Sequence, residues 1–143
     1  MTKTQYNLER FVKAQHGDYQ TALSEIKKGR KRSHWMWYIF PQLKGLGRSP
    51  TSEFYGIANL EEAAAFLEDP YLGANLREIC GVLTALTTSN AREVFGIPDN
   101  MKLKSSMTLF AHACSGNQIF LDVLEKYFQG QQDTQTLKLL NLR

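Results

Sequence analysis

The chain has 143 residues, of which 43% are hydrophobic and 22% charged. These values are typical of one globular domain, here residues 1–143, and exclude a disordered, collagen-like or repeat-built protein. The net charge of +3 is too small for a protein that coats nucleic acid. The charge is uneven, because residues 1–48 carry ten basic and three acidic side chains, whereas residues 49–143 carry seven and eleven.

No segment predicts secretion or a membrane span. Residues 1–10 lack the apolar stretch of a signal peptide, and the longest apolar run, residues 35–40, is far shorter than the ~20 residues of a spanning helix. Cys80 and Cys114 lie 34 positions apart without a Cys-x-x-Cys motif, which predicts two small buried apolar residues rather than a disulfide or zinc site. We therefore expect a reduced, cytoplasmic protein.

Apolar spacing and capping signals predict an all-α fold of about eight short helices, since no alternating strand pattern is present. A first helix is expected over residues 7–15, followed by a turn at His16-Gly17. Asp18 is expected to cap a second helix, which Gly29 ends. Ser33 would cap the next helix, and residues 41–57 are expected to form a loop.

The remaining helices are predicted from similar signals. Asn59 with Glu62 and Asn90 with Glu93 have the spacing of helix-capping pairs, and Asp133 is a candidate cap for the last helix. The expected segments are residues 59–70, 72–86, 90–96, 103–114, 119–128 and 134–142.

Residues 29–43 concentrate basic and aromatic side chains. Five of the six residues from 27 to 32 are basic. If Ser33 caps a helix over residues 34–40, then backbone N–H groups, the helix dipole and the guanidinium groups of Arg30 and Arg32 all favour an anion there. We expect Trp35 to stack on a ligand ring, with Trp37 and Phe40 in the core. The alternative is a solvated basic helix end beside core aromatics.

His34 is the best-placed group for acid–base catalysis, because neighbouring arginines disfavour its charged form. A hydrogen-bonded structural histidine is the alternative interpretation. The three histidines show no metal-ligand spacing, so no metal site and no cofactor are predicted. Asp18, Glu25, Glu53 and Asp99 have no partner at a fixed spacing that would predict a catalytic carboxylate pair.

A second candidate segment lies at residues 99–108. Lys102, Ser105 and Ser106 are spaced to share one face of a helix, where a lysine beside two hydroxyls would bind phosphate. An ordinary polar helix face is the alternative. The loop at residues 44–50 contains Gly-x-Gly beside Arg48 and is either a flap over a site or a plain connection.

The run at residues 29–43, with Tyr55-Gly56-Ile57, residues 70–73 and residues 102–110, resembles the small bacterial family of domains of unknown function numbered 1810. The resemblance covers nearly the whole chain and implies a single, mostly helical cytosolic domain without an established activity. Residues 11–15, followed by the basic Gly-Arg stretch, also resemble families that act on NAD- and ADP-ribose-derived metabolites.

From these observations we expect a pocket for an anionic, nucleotide-like small molecule, formed by Arg30, Arg32, Ser33, Trp35, Lys102 and Ser105. Hydrolysis of a phosphorylated or ADP-ribose-like metabolite would use His34. The alternative is a non-enzymatic interaction module whose basic first third contacts nucleic acid or an acidic protein. Nucleic-acid binding is expected to be weak and unspecific, because residues 49–143 carry a net charge of −4.

Overall fold

The computed structural model describes residues 6–142, and within that range the chain forms nine α-helices. In chain order they are α1 (Glu9–Lys27), α2 (Met36–Ile39), α3 (Pro50–Tyr55), α4 (Leu60–Glu68), α5 (Pro70–Ala85), α6 (Ala91–Phe95), α7 (Asp99–Ala111), α8 (Gln118–Phe128) and α9 (Thr134–Leu139). The only extended pairing in this range is an isolated parallel bridge between Leu43 and Ile57. The all-α fold class is confirmed. The signal-peptide expectation for residues 1–10 rests partly on residues 1–5, which lie outside the described residues.

Helix α1 is continuous where two helices were expected. Gly17 lies in its middle, and a helical glycine costs about 1 kcal/mol relative to alanine. The helix persists because its buried stripe runs unbroken through Phe11, Gln15 and Tyr19. Gln15 connects this part of α1 to α2 and α5, since its amide donates to the Tyr38 carbonyl at 2.8 Å and accepts from Asn75 at 2.9 Å. The sequence predicted a break here because His16-Gly17 has the pattern of a turn and Asp18 that of a cap.

The end of α1 follows the expected glycine stop. Gly29 has a φ of +80°, its N–H donates to Ile26 O, and the N–H of Arg30 donates to Glu25 O. This pair of bonds is the Schellman arrangement, which satisfies the last helix carbonyls and reverses the chain direction. The basic segment that follows therefore runs back across the last turn of α1.

Two local expectations are corrected between residues 33 and 57. Ser33 caps no helix, because α2 starts only at Met36 and has four residues. The predicted loop contains helix α3, which Ser49 caps by accepting a 3.1 Å bond from Ser52 N, with Pro50 at the first helical position.

Three other predicted caps are confirmed. Asn59, Asn90 and Asp133 each accept backbone N–H groups from the first turn of the helix that follows. Asp69, for which no cap was predicted, does the same for α5, whose buried residues include Leu72, Leu76, Ile79 and Leu83 at helical spacing. Local spacing was enough to place these helix starts, because every bond involved spans two or three residues.

The core lies between α1, α4, α5, α7 and α8, which pack on one another. A chain of aromatic rings crosses it, with centroid distances of 5.1 Å for Phe11–Phe66, 5.4 Å for Phe66–Phe110 and 5.8 Å for Phe110–Phe120. Both cysteines are free; Cys80 is buried as expected, whereas Cys114 is only half-buried. Among residues 6–142 no helix has the length and apolar character needed to cross a membrane.

Candidate functional site

The basic segment after Gly29 is held by the carboxylate of Glu25. One carboxylate oxygen accepts from Arg32 N at 2.8 Å, Ser33 N at 3.0 Å and the Trp35 indole at 2.8 Å. The other accepts from the Ser33 hydroxyl at 2.5 Å. Partial burial alone would raise the pKa of Glu25, but the hydrogen bonds from Ser33, Arg32 and Trp35 lower it to about 2. Glu25 is therefore ionised at neutral pH, and its negative charge holds this loop in place.

A second carboxylate, Asp99, joins the two segments that the sequence analysis singled out. Its two oxygens lie 2.9 Å from Lys31 Nζ and 2.9 Å from Lys102 Nζ. Burial opposes ionisation of Asp99, yet these two ammonium groups lower its pKa below the usual value. The start of α7 is thereby fastened to the basic segment. Lys31 is also anchored through its backbone N–H, which donates to Val94 O at 2.7 Å.

The two tryptophans divide between core and surface, but in the reverse of the expected order. Trp35 is 1% exposed and packs with Phe40 and Phe95 at centroid distances of 6.1 and 6.4 Å. Trp37 is half-buried, and Lys102 Nζ lies 4.3 Å from its ring centroid. Trp35 precedes α2 with a non-helical backbone (φ −138°, ψ 6°), so helical spacing does not govern the direction of its side chain. With both faces covered, it offers no stacking surface. Phe40 is buried, as expected.

The cations with uncompensated charge lie beside this anchored loop. A depression of about 600 Å³, which we call the basic groove, is lined by residues 28–31 and 92–96. Among its cations, Lys31 is paired with Asp99, whereas the side chains of Lys28, Arg30 and Arg92 form no ion pair or hydrogen bond with any described residue. Glu93 is the one acidic residue in the lining. The groove is thus a shallow, open and strongly positive surface.

The predicted site residues lie in different surroundings. Arg30 and Arg32 are exposed, and Arg30 lies in the basic groove. Ser33 donates its hydroxyl to Glu25, and Lys102 is bound by Asp99. Ser105 is buried, and its hydroxyl donates to Met101 O of its own helix at 3.2 Å. These contacts leave the two arginines as the predicted ligand-binding groups with free side chains.

His34 is exposed and does not line the basic groove. Its carbonyl accepts a 3.2 Å hydrogen bond from the Tyr38 hydroxyl, which also binds Asp18. Asp18, expected as a helix cap, is therefore a partner of Tyr38.

Other surfaces fit an anion less well. A depression of about 620 Å³ lined by Glu9 and Asp69, among others, has acidic residues and, among residues 6–142, no cation in its lining. Beneath the loop at residues 44–50, Gly47 approaches Trp37 and Ser52, and the enclosed space of about 10 Å³ holds at most one water molecule. Within residues 6–142, no group of three or more His, Cys, Asp and Glu side chains is arranged to hold a metal ion.

Sequence reasoning missed four residues of this region. Glu25 and Asp99 were interpreted as isolated carboxylates, and Lys28 and Arg92 were not assigned to a site. For Glu25 a signal existed, because the glycine stop at Gly29 implies that the chain turns back over the last turn of α1. The approach of α6 and α7 to the loop is a tertiary contact, for which local spacing gives no signal.

The chain is similar to a protein family of unknown function and to the solved structure of a conserved hypothetical protein. Residues 5–140 match the family model described as "Protein of unknown function (DUF1810)". The fold matches the crystal structure of the conserved hypothetical protein Rv1873 from Mycobacterium tuberculosis, with a TM-score of 0.94 and 47% sequence identity. The match covers 97% of this chain and 99% of that one. No curated protein matches the chain.

Proposed function

This chain belongs to the DUF1810 family of proteins of unknown function, and we propose that it binds a phosphate-bearing ligand in the basic groove. One observation carries the proposal: Lys28, Arg30 and Arg92 line one depression, and none of the three forms an ion pair with a described residue, although Glu93 also lies in the lining. Like charges that share a surface repel one another, and an anion would relieve that repulsion. Guanidinium groups are suited to phosphate because their planar N–H donors match its oxygens in pairs.

The backbone around the groove is pre-organised for such a ligand. Arg30 N is bonded to Glu25 O, and Lys31 N to Val94 O, so the loop is fixed to both α1 and α6. A fixed backbone lowers the entropy that is lost on binding, which raises affinity for the same contacts. The volume of about 600 Å³ lies within the range of small-molecule sites. Because the groove is open to solvent, its affinity for anions should fall as salt rises.

The proposal concerns binding and does not extend to hydrolysis, because His34 lies outside the groove lining. The alternative of an acidic protein partner would use the same three cations. It differs in ligand size, since an acidic peptide would need contacts beyond the groove, whereas a small phosphate ester would not.

The test is a thermal-shift titration with inorganic phosphate, ribose 5-phosphate, AMP and ADP-ribose at low salt. A ligand at about one hundred times its Kd stabilises the folded state by roughly 2.7 kcal/mol, which raises the midpoint by several degrees. We expect Arg92→Gln and Arg30→Gln to reduce this shift. Arg48→Gln is the matched control, because Arg48 is exposed and lies outside the groove. The proposal fails if no compound raises the midpoint, or if the groove variants respond like Arg48→Gln.

A further inference from the structure

A second basic depression lies beside the groove and shares two of its cations. Its volume is about 420 Å³, and its lining consists of Gln20, Thr21, Ser24, Glu25, Lys28, Arg30 and Arg32. Lys28 and Arg30 line both depressions, so they stand at the boundary between them. Arg92 belongs only to the groove and Arg32 only to this neighbour, which we call the Arg32 depression.

Resting on the binding function proposed above, we infer that the ligand carries two linked phosphoryl groups, as in a diphosphate, one in each depression. A single phosphate in the groove would meet Arg92 and the shared cations, and would leave Arg32 without a counter-charge. A diphosphate would place its second group beside Arg32, while Lys28 and Arg30 would bridge both groups. The four cations thus match a two-centre anion better than a one-centre anion.

Glu25 also lines the Arg32 depression, and its charge must be compatible with an anion there. Both of its oxygens are occupied by the four donors from Arg32, Ser33 and Trp35. Those oriented dipoles offset its charge locally, as hydrogen-bond donors do for any carboxylate they surround. The same bonds fix the backbone of Arg32 while its guanidinium stays unpaired among the described residues.

A diphosphate is favoured over the backbone of a nucleic acid by the extent of the positive surface. The two depressions together involve residues from 20 to 32 and from 92 to 96, and the charge of the chain after residue 48 is −4. A long polyanion would extend beyond the two depressions onto a surface to which most of the chain contributes net negative charge, whereas a diphosphate would stay within them. The ligand class that fits both depressions is therefore a small diphosphate-containing molecule.

Isothermal titration calorimetry of the full chain tests this inference with inorganic phosphate, pyrophosphate, citrate and a short oligothymidylate at constant ionic strength. Citrate controls for total charge without phosphoryl geometry. We expect pyrophosphate to bind about tenfold more tightly than phosphate, which is about 1.4 kcal/mol, and more tightly than citrate. Arg32→Gln should remove most of that advantage and leave phosphate affinity within about twofold. Arg92→Gln should weaken both ligands, and Arg48→Gln neither.

The outcomes separate the two proposals. If neither phosphate nor pyrophosphate binds, the binding function itself fails. The two-centre ligand is overturned, while phosphate binding stands, if pyrophosphate binds no more tightly than phosphate or no more tightly than citrate. The same conclusion follows if Arg32→Gln leaves the pyrophosphate affinity unchanged. If oligothymidylate binds more tightly than pyrophosphate at physiological salt, the ligand is a nucleic-acid strand and not a diphosphate. Unchanged thermal midpoints of the ligand-free variants confirm that each one folds.

Discussion

The indole N–H of Trp35 donates a 2.8 Å hydrogen bond to Glu25, ten residues earlier in the chain. Trp35 is otherwise enclosed by the core, so this bond satisfies the one polar group of a buried side chain. It also determines where the loop meets α1. This hydrogen bond therefore connects the aromatic core, which contains the Trp35 ring, to the loop that carries Arg30 and Arg32.

Replacing Glu25 with glutamine should destabilise the protein by about 1–3 kcal/mol, because an amide accepts fewer of the four hydrogen bonds and carries no charge. Urea unfolding at pH 7 measures the loss. Glu68→Gln is the matched control, since Glu68 is exposed and its change should stay within about 0.5 kcal/mol. Equal unfolding midpoints for the two variants would show that the bonds around Glu25 add nothing to stability.

The contribution of Glu25 should also depend on pH. The folded-state pKa of about 2 lies below its ordinary value of 4.5. The stabilisation is thus fully present above pH 4.5 and is lost as pH falls towards 2. We expect the stability difference between the native protein and Glu25→Gln to shrink over that window. Urea midpoints at pH 5, 4 and 3 measure it, and a constant difference would contradict the lowered pKa.

The two tryptophans should differ in solvent access. The chain has two tryptophans, so Trp37→Phe leaves Trp35 as the sole indole and Trp35→Phe leaves Trp37. Trp35 is 1% exposed and should emit at shorter wavelength and resist acrylamide quenching, whereas half-buried Trp37 should be quenched more. Trp35→Ala should cost about 3–5 kcal/mol in urea, and Trp37→Ala less. Equal quenching of both indoles would contradict the assignment of Trp35 as the buried tryptophan.

Removing the charge of Asp99 should leave two ammonium groups without a counter-ion. The Lys31 side chain is 8% exposed and that of Asp99 is 17% exposed, so solvent screens this pair only in part. Asp99→Asn should therefore cost about 1–3 kcal/mol in urea unfolding. The exposed Asp122→Asn is the control and should have little effect. A double-mutant cycle with Lys31→Met measures the coupling energy between Lys31 and Asp99, and a value near zero would show that this ion pair does not stabilise the protein.

Features determined by neighbouring residues were predictable from the sequence. The caps at Asn59, Asn90 and Asp133 and the stop at Gly29 are bonds between residues at most five positions apart, and the structure has all four. The helix expected over residues 34–40 begins only at Met36, without the predicted cap, for a related reason. Ser33 has the local pattern of a cap, but Glu25 binds both its hydroxyl and its backbone N–H, which competes with capping.

Features determined by distant residues were not predictable in the same way. Asp99 meets Lys31 across 68 positions of the chain, and Arg92 joins Lys28 in the groove across 64. Such contacts depend on how α6 and α7 pack, which no spacing rule supplies from a single sequence. Which of the cations in the basic segment remain unpaired depends on one such contact, because Asp99 binds Lys31 and no described carboxylate binds the side chains of Lys28, Arg30 and Arg32.

The backbone contacts of the loop after Gly29 restrict how many residues the loop can contain, as well as which residues they are. Its backbone is bonded at Arg30 to Glu25 O, at Lys31 to Val94 O and at Arg32 to the Glu25 carboxylate, so three consecutive residues each have a fixed partner. One inserted or deleted residue would shift every later partner by about 3.3–3.6 Å of chain. The number of residues between Gly29 and Trp35 thus determines where Arg30 and Arg32 lie relative to α6. We expect insertions and deletions to be tolerated in other surface loops and not in this one.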